Sequence, residues 1–167
     1  MKGLIMAGGE GTRLRPLTCG RPKPMVDVMG RPVMEYIIEL MKNAGITDIA
    51  VTLMYMPHII TEHFGDGSKF GVRIKYYIED TPLGTAGSVK NAQEFFDDTF
   101  IIVSGDSLTD IDIKKAAEFH KEKGSEATIV LKSVDNPLEY GIVVTDESGA
   151  IIRFLEKPCW SEVFSDT

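Results

Sequence analysis

The sequence predicts an α/β domain with a mostly parallel central sheet and helices on both faces. Short, continuous apolar runs alternate with segments of helical periodicity, and glycines follow the first and a later run. The length of 167 residues suits one compact domain of this kind. Strand–helix alternation favours parallel pairing, because each crossover returns the chain to the same end of the sheet.

Lys2 to Ala7 is an apolar run that ends in glycines, so it reads as a buried strand entering a loop. Pro32 to Ala44 reads as a helix with Val33, Tyr36, Ile37, Leu40 and Met41 on one face, stopped by Gly45. Asp48 to Met54 reads as a second buried strand, and Pro57 to Phe64 as a short helix. Val72 to Ile78 alternates as a strand, and Thr85 to Phe95 reads as a helix after a Pro-Leu-Gly turn. Phe100 to Ser104 is another apolar strand, ended by Gly105-Asp106. Ile113 to Lys123 follows as a helix and Ala127 to Ser133 as a strand. Ile142 to Thr145 and Ile151 to Leu155 close the series around the turn at Glu147-Ser148-Gly149. No repeat, low-complexity tract or linker interrupts residues 1–167, which read as a single domain. In such sheets ligands gather beyond the carboxyl ends of the strands, here just after Ala7, Ile78 and Ser104.

Hydrophobic residues make up 43% of the chain and charged residues 26%, which excludes a disordered or collagen-like polymer. No apolar run approaches the roughly 18 residues a membrane-spanning helix needs. The stretch from Gly3 to Gly9 lacks the layout of a secretory signal. Cys19 and Cys159 form no CxxC pair, so they read as reduced thiols in a cytoplasmic protein. A net charge of −7 argues against nucleic-acid binding. The charge is uneven, however. Residues 1–31 hold six basic side chains against two acidic ones, a local positive site suited to a small, multiply charged anion.

The loop Ala7-Gly8-Gly9-Glu10-Gly11-Thr12-Arg13 follows the first strand directly. Glycines let backbone amides converge on an anion without side-chain interference. The spacing is neither the dinucleotide fingerprint nor a Walker loop, since Leu14 stands where a small residue is needed and no Gly-Lys-Ser/Thr follows. Arg13 offers a planar fork for phosphate oxygens, and Lys23, between Pro22 and Pro24, offers a point charge on a restrained backbone. Arg15, Arg21 and Arg31 read as structural or solvated charges. His58, His63 and His120 show no catalytic or metal-binding spacing, and Trp160 and Phe164 read as core anchors.

Gly8-Gly9-Glu10-Gly11-Thr12-Arg13-Leu14-Arg15-Pro16-Leu17-Thr18, followed by Arg21-Pro22-Lys23-Pro24-Met25, resembles the opening signature of the sugar-nucleotide pyrophosphorylases. The likeness continues through Leu83-Gly84-Thr85-Ala86-Gly87, Ser104-Gly105-Asp106 and Phe154-Leu155-Glu156-Lys157-Pro158. Within that family it looks most like the mannose-1-phosphate guanylyltransferases. The resemblance implies a three-layer αβα, Rossmann-like nucleotidyltransferase fold. It also implies a reaction in which a sugar-phosphate oxygen attacks the α-phosphorus of a nucleoside triphosphate and pyrophosphate leaves.

On that resemblance Arg13 and Lys23 would be catalytic, stabilising charge on the phosphates. Ala7, Gly8, Gly9, Gly11, Thr12, Gly84 and Thr85 would bind the nucleotide. Asp106, a carboxylate at a strand end, would hold Mg²⁺, whose hard-oxygen preference suits it. Asp110 and Asp112 read instead as helix-capping residues. Related thymidylyl- and uridylyltransferases carry glutamine where this chain has Glu79. An ionised carboxylate there could accept from both N1–H and N2–H of guanine, which favours GTP. Gly141 would leave room for the sugar ring, Glu156 would accept from its hydroxyls, and Lys157 would bind the sugar phosphate.

The family's catalytic domain normally continues past Glu156-Lys157-Pro158, with a later strand supplying a second metal-binding aspartate. The chain therefore reads as an N-terminal portion, truncated at its carboxyl end, that binds nucleotide and turns over poorly. An exposed strand edge would invite pairing with another copy. Two other readings stay open: a glucose-1-phosphate uridylyl- or thymidylyltransferase, and a non-catalytic nucleotide-sugar-binding regulatory module of the same fold.

Overall fold

The computed structural model of the protein describes residues 1–136, 140–156 and 158–159. The elements in chain order are β1 (Lys2–Met6), β2 (Asp27–Val28), β3 (Arg31–Pro32), α1 (Val33–Asn43), β4 (Asp48–Leu53), α2 (Pro57–Phe64), β5 (Arg73–Ile78), α3 (Gly84–Asn91), β6 (Phe100–Ser104), α4 (Ile113–Lys123), β7 (Gly141–Thr145) and β8 (Ile151–Glu156). The chain divides into two compact units, Met1–Ala117 and Glu118–Thr167, with the division inside α4. Among the described residues no helix is long and apolar enough to cross a membrane.

In the first unit, a four-stranded parallel sheet runs in the order β5-β4-β1-β6. The chain builds outward from β1 through β4 to β5, then crosses back to set β6 on the other side of β1. The sheet has a layer of helix on each face. Ile5, Ile49, Val51 and Leu53 point to the face covered by α1 and α2, where Met34, Ile37, Ile38, Met41, Ile60 and Phe64 are buried. Leu4 and Ala50 point to the opposite face, beneath Val89 of α3 and Phe95. The alternation along β1 and β4 thus feeds two cores, which is why these strands read as continuous apolar runs.

The expected mixed α/β architecture with a parallel sheet is present, and several elements differ in detail. The buried face of α1 is rotated from the expected one: Met34 and Ile38 are buried, while Tyr36 and Leu40 are half-exposed. Tyr36 sits at the edge because its hydroxyl donates to the Val28 carbonyl at 2.7 Å. The predicted helix over 85–95 ends as α3 at Asn91, and a separate 3₁₀ turn covers Gln93–Phe95. Residues 127–133 form no strand. No neighbour pairs with them among the described residues, and Ile129, Val130 and Leu131 are exposed. Apolar content alone cannot make a strand without a ladder to join. Asp112 does cap α4, its Oδ1 accepting from the Lys115 amide at 3.1 Å. Trp160 and Phe164 lie outside the described residues. In the second unit β7 and β8 pair antiparallel around the expected turn, where Asp146 Oδ1 accepts from the Ser148 and Ala150 amides.

The hairpin β2–β3 has no counterpart in the sequence reading, because two-residue strands carry no periodicity. Its two-residue loop puts Met29 at φ 54° and Gly30 at φ 81°. This geometry matches the twist of the paired strands and suits glycine and asparagine, but it penalises other side chains such as that of Met29. Met29 is also 92% exposed, so packing does not compensate. The hairpin leads into α1, where Glu35 is clasped from two sides. His63 Nε2 lies 2.8 Å from its Oε1, and Arg31 Nε donates to its Oε2 at 3.1 Å. Partial burial pushes the Glu35 carboxyl up, but the hydrogen bonds with His63 and Arg31 outweigh it and hold the group below its ordinary range.

Met29→Asn should therefore raise stability by about 1 kcal/mol, moving the melting midpoint up by roughly 2–4 °C. An unchanged midpoint in thermal unfolding would contradict the strain argument. A depressed folded-state pKa stabilises fully above the ordinary carboxylate value and is lost as pH falls through the folded one. Urea titrations from neutral to acid pH should show that loss in the wild type and a flatter acid limb in Glu35→Gln. Identical slopes in the two proteins would remove Glu35 from the acid response.

Candidate active site

The carboxyl ends of β1 and β6 lie side by side, since Met6 pairs with Ser104 and the Gly105 amide donates to the Met6 carbonyl at 2.7 Å. This is the point where strand order reverses, so the loops after the two strands diverge and leave a crevice between them. Gly105 is required by the closeness of the approach. A Cβ there would lie 2.9 Å from the Met6 carbonyl oxygen and 3.0 Å from the Ala7 Cβ.

The loop after β1 leaves the sheet at Ala7, whose amide donates to the Thr52 carbonyl at 2.9 Å. From Gly8 to Arg13 the backbone amides donate to no backbone carbonyl among the described residues. A run of unengaged N–H groups on a loop at a strand end is a cradle for an anion. The loop closes in a 3₁₀ turn over Thr12–Leu14, entered by Gly11 at φ 63°. A Cβ on Gly11 would also come within 3.0 Å of the Lys23 Cβ. Beneath the loop, Thr18 is 1% exposed and donates its hydroxyl to the Gly11 carbonyl at 2.9 Å. Sequence reasoning gave Thr18 no part in the site. Its place at the end of the Gly8-to-Thr18 signature was the available signal, and its burial gives that place a physical reason.

Lys23 opens a second 3₁₀ turn, Lys23–Met25, whose Pro24 and Met25 are buried. Buried neighbours fix its backbone and leave the side chain to reach outward. Its ammonium forms a hydrogen-bonded ion pair with Asp106 Oδ2. The other carboxylate oxygen accepts from Ser104 Oγ at 2.6 Å. Half-burial pushes the Asp106 carboxyl up, but Lys23 and Ser104 together hold it below the usual carboxylate range, so it is ionised at neutral pH. Ser104 is a further residue the sequence reading left without a role.

Arg13 stands exposed on the Thr12–Leu14 turn and has no ion-pair partner among the described residues. Its neighbours are engaged: Arg15 lies 3.8 Å from Glu10, Arg21 pairs with Asp27 at 2.7 Å, and Arg31 binds Glu35 and Glu39. The expectation of structural charges at those three positions matches these pairs.

Glu79 follows β5, its amide donating to the Leu53 carbonyl at 2.7 Å. It is 7% exposed, and its Oε1 is buried with no hydrogen-bond partner among the described residues; the buried hydroxyl of Thr52 is likewise without one. Unsatisfied buried polar atoms are costly and mark places where something beyond packing is at work. Gly84 and Thr85, both exposed, form the start of α3, which has no side-chain cap. Its first amides are therefore open to an acceptor.

In the second unit Gly141 and Glu156 are register partners across β7–β8, and a Cβ on Gly141 would lie 3.1 Å from Glu156 Oε2. The structure brings these two together; Lys157 lies outside the described residues. No cluster of three His, Cys, Asp or Glu side chains able to cage a metal exists among the described residues, so Asp106 offers a single hard-oxygen ligand. A cleft of about 380 Å³ involves none of the predicted site residues. Its polar groups pair with one another, Arg21 with Asp27 and His63 with Glu35.

Comparison with known proteins gives the family. The chain is 43% identical, over 179 aligned positions, to a UTP–glucose-1-phosphate uridylyltransferase of Synechocystis sp., covering 99% of the chain and 46% of that protein. It is 42% identical to a mannose-1-phosphate guanyltransferase of Saccharomyces cerevisiae, covering 95% of the chain and 45% of that protein. The chain thus spans just under half the length of these relatives. The crystal structure of HddC from Yersinia pseudotuberculosis complexed with GMP-PN superposes with a TM-score of 0.75 at 30% identity, over 93% of the chain and 69% of that structure. Residues 2–164 match the family described as nucleotidyl transferase, and the chain belongs to that family.

Proposed function

We propose that the protein transfers a nucleotidyl group from a nucleoside triphosphate to a sugar 1-phosphate with release of pyrophosphate. GTP and mannose 1-phosphate are the favoured pair. The observation that carries this reading is the convergence of an amide-lined glycine loop, Lys23 and Asp106 at the strand-order reversal. Phosphoryl-type transfer needs little covalent help; it needs substrates held in line and charge balanced where it accumulates. The free amides from Gly8 to Arg13 supply fixed donors to the triphosphate. Arg13, with no acid to neutralise it among the described residues, is available to the departing pyrophosphate, and Lys23 serves the phosphates beside the reacting centre.

Asp106 suits Mg²⁺ as the residues stand. It is an ionised carboxylate at a strand end, already facing a cationic group, and Mg²⁺ commonly takes one or two carboxylates together with substrate phosphates and water. A bound Mg²⁺ would draw charge from the phosphate oxygens. Gly141, Glu156 and Lys157 are proposed to receive the sugar phosphate.

The similarity values do not choose the base, since the uridylyl and guanyl relatives match almost equally. Glu79 supports guanine: its buried carboxylate has an unused oxygen, and two acceptor oxygens match the adjacent N1–H and N2–H donors. The uridylyltransferase relative keeps UTP or dTTP with glucose 1-phosphate as a second reading. A non-catalytic binding module is disfavoured by the presence of Arg13, Lys23 and Asp106 together.

Calorimetric titration with GTP should show binding that strengthens with Mg²⁺, and Asp106→Ala should lose the metal-dependent part. Metal-independent binding that survives this change would favour the binding module. Lys23→Ala should lower the rate of pyrophosphate release about 100-fold, as for loss of other charge-stabilising donors. Across a panel of triphosphates, Glu79→Gln should shift preference toward UTP and dTTP; an unaltered guanine preference would refute the base assignment.

A further inference from the structure

The Lys23–Asp106 pair sets two requirements of the proposed chemistry against each other. Both oxygens of Asp106 are engaged, one by Ser104 and the other by the lysine ammonium. A divalent cation approaching Asp106 meets a positive charge already seated on Oδ2. Conversely, Lys23 cannot give its charge fully to a phosphate while it neutralises the aspartate. Two cations on one half-buried carboxylate repel each other more strongly than they would in water.

We infer that Lys23 and a divalent cation compete for Asp106, so that the lysine guards the metal position until a triphosphate draws it away. The inference rests on the reading of Asp106 as the metal-binding carboxylate.

The geometry permits the exchange with little backbone movement. The Lys23 stem lies against Gly11, so the same side chain borders both the glycine loop and Asp106. The backbone of the turn is pinned by buried Pro24 and Met25, whereas the lysine side chain is 35% exposed and ends in a mobile point charge. Ser104 holds the other oxygen, which keeps the carboxylate oriented while its partner changes. An anion in the loop offers Lys23 an alternative partner and vacates Oδ2. Linkage then requires reciprocity: triphosphate tightens metal binding, metal tightens triphosphate binding, and Lys23 carries the coupling.

The test is Mn²⁺ binding, followed by electron paramagnetic resonance, in the wild type, Lys23→Met, Lys23→Gln and Asp106→Asn, each with and without GTP. Without nucleotide, both Lys23 variants should bind Mn²⁺ about tenfold more tightly than the wild type, within the usual range of coupling between sites. The GTP-induced tightening seen in the wild type should shrink in both. Equal or weaker Mn²⁺ binding in the folded Lys23 variants, with binding still abolished by Asp106→Asn, would overturn the competition and leave the metal reading intact. Mn²⁺ binding that ignores Asp106→Asn under every condition would overturn the metal reading, and the competition with it.

Discussion

Parallel pairing of β1 with β6 is the constraint on which the rest of the site depends. The two strands are distant in sequence, and their ladder from Lys2–Phe100 to Met6–Ser104 sets the glycine loop beside Asp106. A shift of one residue would turn every side chain of the strand to the other face and move Gly105 away from the Met6 carbonyl and Ala7 Cβ it fits against. The ladder is in turn held by the central position of β1, which buries Leu4 on one face and Ile5 on the other. Site geometry and core packing are therefore the same set of hydrogen bonds viewed from two directions.

Charge is arranged with equal economy. Of the six basic residues in the first thirty-one, Arg15, Arg21 and Arg31 pair with acids close in sequence and Lys2 pairs with Asp97, which leaves Arg13 without an acid among the described residues and Lys23 shared with Asp106. An acidic protein can present a compact positive locus in this way without becoming a general polyanion binder. Thr18 and Ser104 contribute by fixing what the charged groups stand on: the first anchors a loop carbonyl, the second a carboxylate oxygen.

Much of this was legible in the residues because burial and periodicity coincide in the first unit. β1, β4 and β6 are apolar on both faces, and α2 begins and ends where proline and glycine place it. Sequence reading failed where local pattern was a poor guide to partners. Residues 127–133 have strand-forming composition but no strand to pair with among the described residues, and β2–β3 is too short to show alternation. The glycine loop, Lys23 and Asp106 stood out as residue types with known chemistry. Thr18 and Ser104 did not, because a hydroxyl declares its role only through the atom it faces.

Glu79 shows how a site shapes the molecule around it. Keeping an acid inside the fold with an oxygen that has no hydrogen-bond partner among the described residues lowers stability, since that oxygen has given up water without a replacement there. A leucine there would make a sturdier molecule, and under the proposed function one with no means of telling one heterocycle from another. On the proposed reading of Glu79, robustness and discrimination pull in opposite directions at this one position.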